Sequence, residues 1–318
     1  MTEEKTGMTG WKICMDKDRK YEITNAGRKR TYNGRAGKCF GKAATELCLA
    51  AAALFMVSPV LFLVTGSLMG DGEAKAYLGP VLFDAEGFAT WRLLPRYPTL
   101  RNVVGLLLDS PEFFTMFWNT MKLSTATIVG QLVFAVPGAW GLARYEFPGR
   151  KLIYKLYILL MMLPFQVVML PEYLVLDRLG LIDTLAAIVL PAVFSTFSVF
   201  LMYRFFTEIP EEIICAARVD GAGELQIFVW IGLPLGASGI FSALFLQFLE
   251  CCSMIEQPVA FLKEKKAWPL ALYLPEIDAS QVGLAFTASL AALLVPLLLF
   301  WMGKDYLEAG IATAALKE

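Results

Sequence analysis

The sequence has 318 residues, of which 57% are hydrophobic and 18% are charged, and its formal net charge at pH 7 is −1. This composition is too apolar for an ordinary soluble domain, and the near-zero net charge gives no overall attraction to nucleic acid. The absence of histidine removes the commonest acid–base group and metal ligand, and the six cysteines include no Cys-x-x-Cys pair. We therefore expect a membrane protein with no metal and no other cofactor.

Residues 1–45 form a polar, basic segment before the first apolar run. They contain eleven Lys or Arg and five acidic residues, a balance of +6. A secretory signal peptide would instead place a short apolar core near the start. The cluster Arg28-Lys29-Arg30 could indicate nucleic acid, but its position before an apolar run favours a positive-inside anchor close to anionic lipid. We predict that residues 1–45 are a cytoplasmic N-terminal extension.

Six apolar segments follow the N-terminal extension. They are residues 47–70, 123–143, 156–171, 184–203, 225–249 and 279–303. Each is near or above the length of about twenty residues that crosses a bilayer as a helix. Backbone polar groups cannot face lipid unpaired, so helices are expected, and the short alternating segments of a β-barrel are absent from the sequence. The pattern predicts an all-α membrane protein, with six transmembrane helices in residues 46–305 and a C-terminal tail at 306–318.

The charges between the segments predict the orientation of the chain in the membrane. The basic N-terminus and the basic link at residues 144–155 fall on the same side when the first two helices cross and return. Positive charge favours the cytoplasmic side. This places both termini and residues 204–233 in the cytoplasm, and the segments near 71–112 and 256–278 outside. The expected location is the cell membrane, crossed several times.

The longest polar interruption in the C-terminal two-thirds of the sequence runs from residue 209 to residue 234. Pro210 suits the first turn of a helix, and Glu211 and Glu212 suit the positive end of its dipole. Gly221 stands where a helix of about ten residues would stop, which is the usual place for a residue with positive φ. The sequence predicts a short amphipathic helix, a glycine turn and a second helix that bends at Pro234 and enters the membrane.

This run resembles the "EAA" loop of permease subunits in ATP-driven, binding-protein-dependent (ABC) importers. The family pattern is Glu-Ala-Ala-x-x-Asp-Gly-Ala, followed after several residues by an apolar position and Leu-Pro. The chain has Cys-Ala-Ala-Arg-Val-Asp-Gly-Ala at residues 215–222, then Ile231 and Leu233-Pro234. It departs from the pattern at Cys215, where the family usually has glutamate, and at Ser238, where a second proline often stands.

The resemblance extends over roughly residues 50–305. Further matching stretches, in order, are Asn119, residues 143–150, residues 162–166, residues 179–185 and residues 205–210. They are similar to the carbohydrate-importer branch, and within it to the smaller permease of the maltose or glycerol-phosphate type. The Trp-Asn-(Asp/Glu) that the family often has after its fifth helix is replaced here by Cys252-Ser253-Met254. The resemblance implies a type I ABC importer permease fold in a prokaryotic cell membrane.

In that family the loop docks an ATPase subunit, so residues 204–233 are expected to be the cytoplasmic coupling loop. The residues implied in the docking cleft are Glu212, Cys215, Ala216, Ala217, Asp220 and Gly221. The glutamate missing at Cys215 removes an expected charge-assisted bond to the partner. Either Glu211 or Glu212 compensates from one turn earlier, or the ATPase subunit is atypical. Both alternatives stay open at the level of sequence.

Two residues in the third apolar segment are candidates for the translocation path. Gln166 is polar at membrane depth and lies beside Pro164, which interrupts the segment. Gln166 either faces the path or forms a hydrogen bond between helices. The charged residues Glu250 and Lys122 either mark a pathway or reach the membrane interface from the helix ends. Pro137, Pro164, Pro191 and Pro296 are either gating kinks or ordinary irregularities of membrane helices.

No catalytic pattern stands out in the sequence. The Gly-Lys pairs at 37–38 and 41–42 lack both the earlier glycine and the following Ser or Thr of a Walker A motif. The expected function is therefore that of a permease subunit and not of an enzyme. Its expected partners are a second permease, ATPase subunits, an extracytoplasmic solute-binding protein and membrane lipid, but not nucleic acid. The alternatives are a stand-alone secondary transporter or channel, for which no inverted repeat is evident, and a membrane enzyme, which lacks acid–base residues.

Overall fold

The structure of the protein is a computed structural model that describes residues 33–82, 88–90, 94–276 and 281–315. The chain divides into two units, Met1–Val57 and Ser58–Glu318. Every described residue of the first unit belongs to one helix, α1 (Asn33–Ser67). Most of the predicted N-terminal extension, residues 1–32, lies outside the described residues, as do the last three residues of the predicted C-terminal tail.

Helices account for the regular structure of the described ranges, which contain no strand, and this confirms the predicted all-α class. After α1, the helices of the first half are α2 (Asp71–Leu82), α3 (Arg101–Leu108), α4 (Pro111–Gly130), α5 (Val136–Arg144), α6 (Arg150–Met161), α7 (Phe165–Arg178) and α8 (Ala186–Val193). Those of the second half are α9 (Thr196–Glu208), α10 (Glu211–Val219), α11 (Glu224–Ile227), α12 (Leu233–Leu235), α13 (Ala237–Ser253), α14 (Glu256–Phe261), α15 (Tyr273–Glu276) and α16 (Val282–Ala315).

Four helical stretches of the described chain are long and apolar enough to cross a membrane. They are Thr45–Ser67, Pro111–Arg144, Ala186–Glu208 and Val282–Tyr306. Two further pairs of helices qualify only if each bent pair is one span, α6 with α7 and α11–α12 with α13. The number of spans is therefore four to six, and the six spans expected from the sequence stay a prediction.

The second span is longer than its uncharged run indicated. It begins at Pro111, which occupies the first turn of α4, and Lys122 lies exposed within the helix and not at its outer start. A π-helical turn, Gln131–Ala135, joins α4 to α5 just before Pro137. Because proline has no N–H to donate, a local change of the helical hydrogen-bond pattern at this point is expected. The helix nonetheless continues to Arg144.

Pro164 marks the sharper of the two bends within the candidate spans. The axes of α6 and α7 differ by 110° across the break between them, and Pro164 is the residue that caps α7. The predicted interruption of the third apolar segment is confirmed. Pro191 lies inside α8, two residues before that helix ends, whereas α16 passes Pro296 without a break. These prolines therefore differ in effect, since Pro164 stands at a break between two helices and the other two lie inside helices.

One buried cluster joins α5 and α9 to the segment between residues 209 and 240. Its largest side chains are Trp140, Met202, Phe206, Ile214 and Ile227, of which none is more than 3% exposed. The ring of Phe206 meets Trp140 edge-on, with the centroids 5.3 Å apart. Aromatic and aliphatic burial of this extent is the main stabilising contribution that a helix interface can make. The loop between α9 and α13 is therefore packed against the membrane helices.

A buried amide ties three helical segments together at the π-helical turn. Gln131 is 0% exposed, and the two hydrogens of its Nε2 are shared among three acceptors: the carbonyl of Ala192 at 2.8 Å, Oε1 of Gln247 at 3.1 Å and the hydroxyl oxygen of Ser198 at 3.2 Å. Buried polar groups are costly unless they are paired. These contacts fix α8, α9 and α13 around the point where α4 meets α5.

Candidate functional site

The loop predicted to follow the fourth apolar segment folds as a helix, a glycine turn and a second helix. Pro210 precedes α10, and Glu211 and Glu212 occupy its first turn. At the other end Gly221 has a φ of +87°; its N–H donates to the carbonyl of Arg218, and the N–H of the next residue donates to that of Ala217. This pair of bonds is the glycine-terminated helix end known as the Schellman motif. The predicted local structure is confirmed.

The second helix of the loop bends where it enters the apolar core. The axis of 224–235 differs by 71° from that of α13, and the break falls at Gly236, two residues after Pro234. A Cβ at Gly236 would come 2.5 Å from the ring of Phe206. Proline and glycine therefore act together here: proline disturbs the helix, and glycine permits close approach to α9.

One face of α10 is exposed and small. Glu212, Cys215, Ala216 and Asp220 are exposed on it, and Ala217 at its edge is half-buried. Residues three and four apart share a helix face, so the first three of these side chains present one surface. The predicted residues thus lie together. Glu212 forms no ion pair with a described residue, whereas Glu211 pairs with Arg144 and Arg218. Of the two acids, Glu212 is therefore the one left available beside Cys215.

The opposite face of α10 is fixed to the body of the protein. Ile214 is 1% exposed in the cluster around Trp140. Glu211 accepts a hydrogen bond from Arg144 at 3.0 Å and lies 3.6 Å from Arg218, and Arg218 in turn donates to Glu224 at 2.9 Å. The helix is therefore held by both an apolar contact and a chain of charges.

The chain of charges closes at Tyr145, whose hydroxyl donates to Glu224 at 2.9 Å. Burial raises the pKa of Tyr145, and the bond to Glu224 raises it further, so the hydroxyl stays protonated as a donor. The hydrogen bond to Glu224 likewise raises the pKa of Arg218, with smaller effects from the charges around it. Because Arg218 is largely open to solvent, this ion pair contributes orientation more than stability.

The two path candidates lie at the edge of α7. Nε2 of Gln166 donates to both carboxylate oxygens of Glu256 at 3.0 Å, which joins the start of α7 to α14. Pro164 is the break itself. Beside them a cavity of about 960 Å³ lies among α6, α7, α9 and α13. Gln166 and Pro164 are not part of its lining, which includes Phe165.

Two carboxylates lie on the wall of that cavity. Its polar lining includes Glu172, Gln247, Glu250 and Gln257, and the rest is mostly apolar. Glu250 is exposed on this wall, near the end of α13, and Glu172 is half-buried on α7. Glu250 is thus both exposed near a helix end and part of the cavity wall, so the two interpretations from the sequence stay open. No group of His, Cys, Asp and Glu in the described chain is arranged to hold a metal ion.

Sequence reasoning missed the contact that fixes α10 to α5 and α9. The sequence indicates Arg144 as a basic residue in a stretch that resembles the family, and Glu211 as a first-turn acid that could replace a missing glutamate, but it does not pair them. Their contact joins positions 67 apart, and no local pattern signals it. Val219, which is 88% exposed at the end of α10, was also missed. A signal was present for Val219, because it lies four residues after Cys215 on the same helical face.

Comparisons with known proteins identify the family. Residues 113–252, which contain this loop, match the family described as "Binding-protein-dependent transport system inner membrane component". The arabinooligosaccharides transport system permease protein AraQ of Halalkalibacterium halodurans is 26% identical over 83% of the chain and 92% of its own length. The sn-glycerol-3-phosphate transport system permease protein UgpE of Brucella abortus is 35% identical over 46% of the chain and 50% of its own.

A solved structure gives the same fold. A chain of a bacterial ABC transporter for import of the acidic polysaccharide alginate superimposes with a TM-score of 0.73 at 20% identity, over 87% of this chain and all of that one. The described protein is thus a multi-pass membrane permease. Its residues 113–252 match the inner-membrane components of binding-protein-dependent transport systems, and the chain is a permease subunit of an ABC importer. This is a family of transport proteins and not of enzymes.

Proposed function

We propose that the chain forms one half of the path by which an importer takes up a carbohydrate-class solute, driven by a separate ATPase. The observation that carries this is α10, whose exposed face holds Glu212, Cys215 and Ala216 while its other face is packed against membrane helices. A small, exposed face on a firmly held helix suits a rigid partner that pushes on it. The ATPase subunit therefore binds the permease at the coupling loop, residues 204–233.

The assembly contains a second permease, two copies of the ATPase subunit and an extracytoplasmic solute-binding protein. The chain itself neither binds nor hydrolyses ATP, since it has no Walker A sequence. Both termini and α10 lie in the cytoplasm, with 1–45 as an extension and 306–318 as a tail. Residues 46–305 form the transmembrane domain, which crosses the membrane six times. The positive-inside balance supports this orientation.

The solute passes beside α7 and α13, where Pro164 and Gln166 adjoin the cavity that Glu250 lines. Support comes from the carboxylates Glu172 and Glu250 on the cavity wall, because charged groups are expensive in a membrane unless they serve a pathway or pair with one another. Gln166 is already paired, through its bond to Glu256 on α14. The carbohydrate class is supported by the printed functions of relatives such as AraQ, a permease for arabinooligosaccharides. Pro164 produces the bend between α6 and α7 at the edge of this cavity.

The docking role is tested by copurification of the importer from membranes in which all subunits are produced. Ala216→Arg places a bulky cation on the exposed face of α10 and should remove the ATPase subunits from the tagged permease. Glu146→Arg changes an exposed residue in the turn between α5 and α6 and should retain them. Equal recovery of the ATPase with both variants contradicts the docking role.

The solute class is tested by uptake into proteoliposomes that contain the complete importer and its binding protein. Uptake is measured for labelled neutral oligosaccharides, a sugar phosphate and an amino acid. Each solute is tested once with ATP inside the vesicles and once with ATP outside them. The proposal predicts ATP-dependent uptake of a carbohydrate. Uptake that proceeds without ATP supports the alternative of a secondary transporter or channel.

A further inference from the structure

The guanidinium of Arg144, the last residue of α5, joins three elements around the coupling loop. Nη1 donates to Oε2 of Glu211 at 3.0 Å, and Nη2 donates to the carbonyls of Phe206 and Ile209 at the end of α9. We infer that Arg144 is a positioning residue for transport, through which movement of α10 displaces α5 and α9 together. This inference rests on the proposed docking of the ATPase to α10.

The surroundings of Arg144 make it a rigid link. Its side chain is 7% exposed, and its guanidinium lies over the indole of Trp140 at 5.6 Å from the ring centroid. The same indole meets the ring of Phe206 and lies against the backbone of Gly232. A guanidinium that is stacked on a buried ring and hydrogen-bonded through both of its terminal nitrogens, Nη1 and Nη2, has little freedom to move alone. A displacement of Glu211 is therefore transmitted through Arg144 to the packed rings of Trp140 and Phe206.

The chemistry of arginine suits this position and that of lysine does not. The planar fork reaches one carboxylate and two carbonyls at once, whereas an ammonium is a compact point charge. Nε of Arg144 is also buried and finds no acceptor among the described residues. Three of the five N–H groups of the guanidinium are used in the bonds to Glu211 and to the end of α9.

A simpler role for Arg144 would be to cap α9. Basic side chains commonly bond the last carbonyls of a helix, and two of the contacts here are of that type. A cap, however, has no need of Glu211. That carboxylate belongs to α10, is 57% exposed, and continues the link to Arg218. The two roles make different predictions for a change at Glu211, because such a change leaves the cap intact.

The test measures solute transported per ATP hydrolysed by the complete importer in proteoliposomes. Arg144→Lys keeps the charge but cannot make all three bonds. The ratio should fall by at least about tenfold, since loss of one hydrogen bond to a charged group changes an equilibrium by about that factor or more. The ATPase subunits should remain bound, because the exposed face of α10 is unchanged.

Arg150→Lys is the matched control. Arg150 begins α6, and its Nη2 donates to the carbonyl of Ala143 on α5, with no described bond to α9 or α10. Its ratio of transport to ATP hydrolysis should equal that of the wild type. An equal ratio for Arg144→Lys and Arg150→Lys overturns the inference.

Glu211→Gln decides the question if Arg144→Lys fails to assemble. Residue 211 is exposed enough to accept glutamine, and the bonds from Arg144 to α9 stay in place. The inference predicts a severalfold lower ratio of transport to hydrolysis with normal membrane abundance. An unchanged ratio leaves only the capping role and overturns the inference. Absence of the ATPase subunits from the purified wild-type complex would instead overturn the docking of α10, and the inference with it.

Discussion

Gly232 lies directly against Trp140, so close that a Cβ at position 232 would come 2.7 Å from the indole ring. Gly232 ends the π-helical turn that leads from the coupling loop towards the membrane, and Trp140 lies on α5 one turn before Arg144. The loop and the membrane helix are therefore in contact through backbone and ring, with no intervening side chain. A contact of this kind transmits displacement because packed interiors deform little.

Replacing Gly232 by alanine should force this contact apart. Overpacking of a filled core costs about 1–3 kcal/mol. We expect a lower thermal unfolding midpoint for the purified complex. Gly141→Ala on α5 is the control, because a Cβ there meets nothing within 4 Å and alanine favours the helix. Equal midpoints for the two variants would show that the indole has room to move.

Gly221→Val should impair coupling without impairing folding. The φ of +87° is unfavourable for any residue with a Cβ, at a cost of roughly 1–2 kcal/mol, yet a Cβ at this position has nothing within 4 Å. The strain therefore acts on the direction of the chain after α10. We expect normal abundance in the membrane and loss of both uptake and solute-stimulated ATP hydrolysis.

Gly223→Ala provides the comparison for that variant. Its φ of −72° is one that alanine adopts readily, and the nearest side-chain atom would be 3.7 Å from the new Cβ. Transport by this variant should stay close to that of the wild type. If Gly221→Val also transports at the normal rate, the turn after α10 has no part in coupling.

Much of the coupling loop could be predicted from the sequence, and its connection to the rest of the protein could not. Pro210, the two acids and Gly221 are local signals that act within one helix, and they gave α10 and its end correctly. The bond between Arg144 and Glu211 depends on how α5 and α9 pack, which no window of sequence contains. The start of the second span was missed because Lys122 interrupts the apolar run, although an exposed lysine is tolerated within a membrane helix when its end reaches polar surroundings.

Restoring glutamate at position 215 should be tolerated. Cys215 is exposed, and its neighbour one turn earlier, Glu212, is also exposed, so the new carboxylate needs no buried partner. Repulsion between two exposed carboxylates at this spacing costs only about 0.2–0.5 kcal/mol. We expect Cys215→Glu to keep its ATPase subunits through purification. Their loss would show that the partner's surface is fitted to cysteine.

Thiol labelling of intact cells tests the orientation. Cys215 is exposed and lies in the cytoplasm in the proposed topology, so it should react with a membrane-impermeant maleimide only after the cells are permeabilised. Cys251 is buried and should stay unmodified in both conditions. A cysteine introduced at Val259, which is 57% exposed in α14, should react from outside. Labelling of Cys215 in intact cells would reverse the proposed topology. The predicted cytoplasmic cysteine Cys14 lies outside the described residues.

Photo-crosslinking from Cys215 tests the docking of the ATPase most directly. A benzophenone maleimide is attached to this exposed thiol in a variant whose other cysteines are replaced by serine, in membranes that contain the complete importer. It then reaches what lies near the outer face of α10. The proposed function predicts an adduct between the permease and the ATPase subunit, identified by mass spectrometry and lost in Cys215→Ser. Illumination that yields no adduct with the ATPase subunit, in an importer that transports its solute, would contradict the docking of the ATPase to this helix.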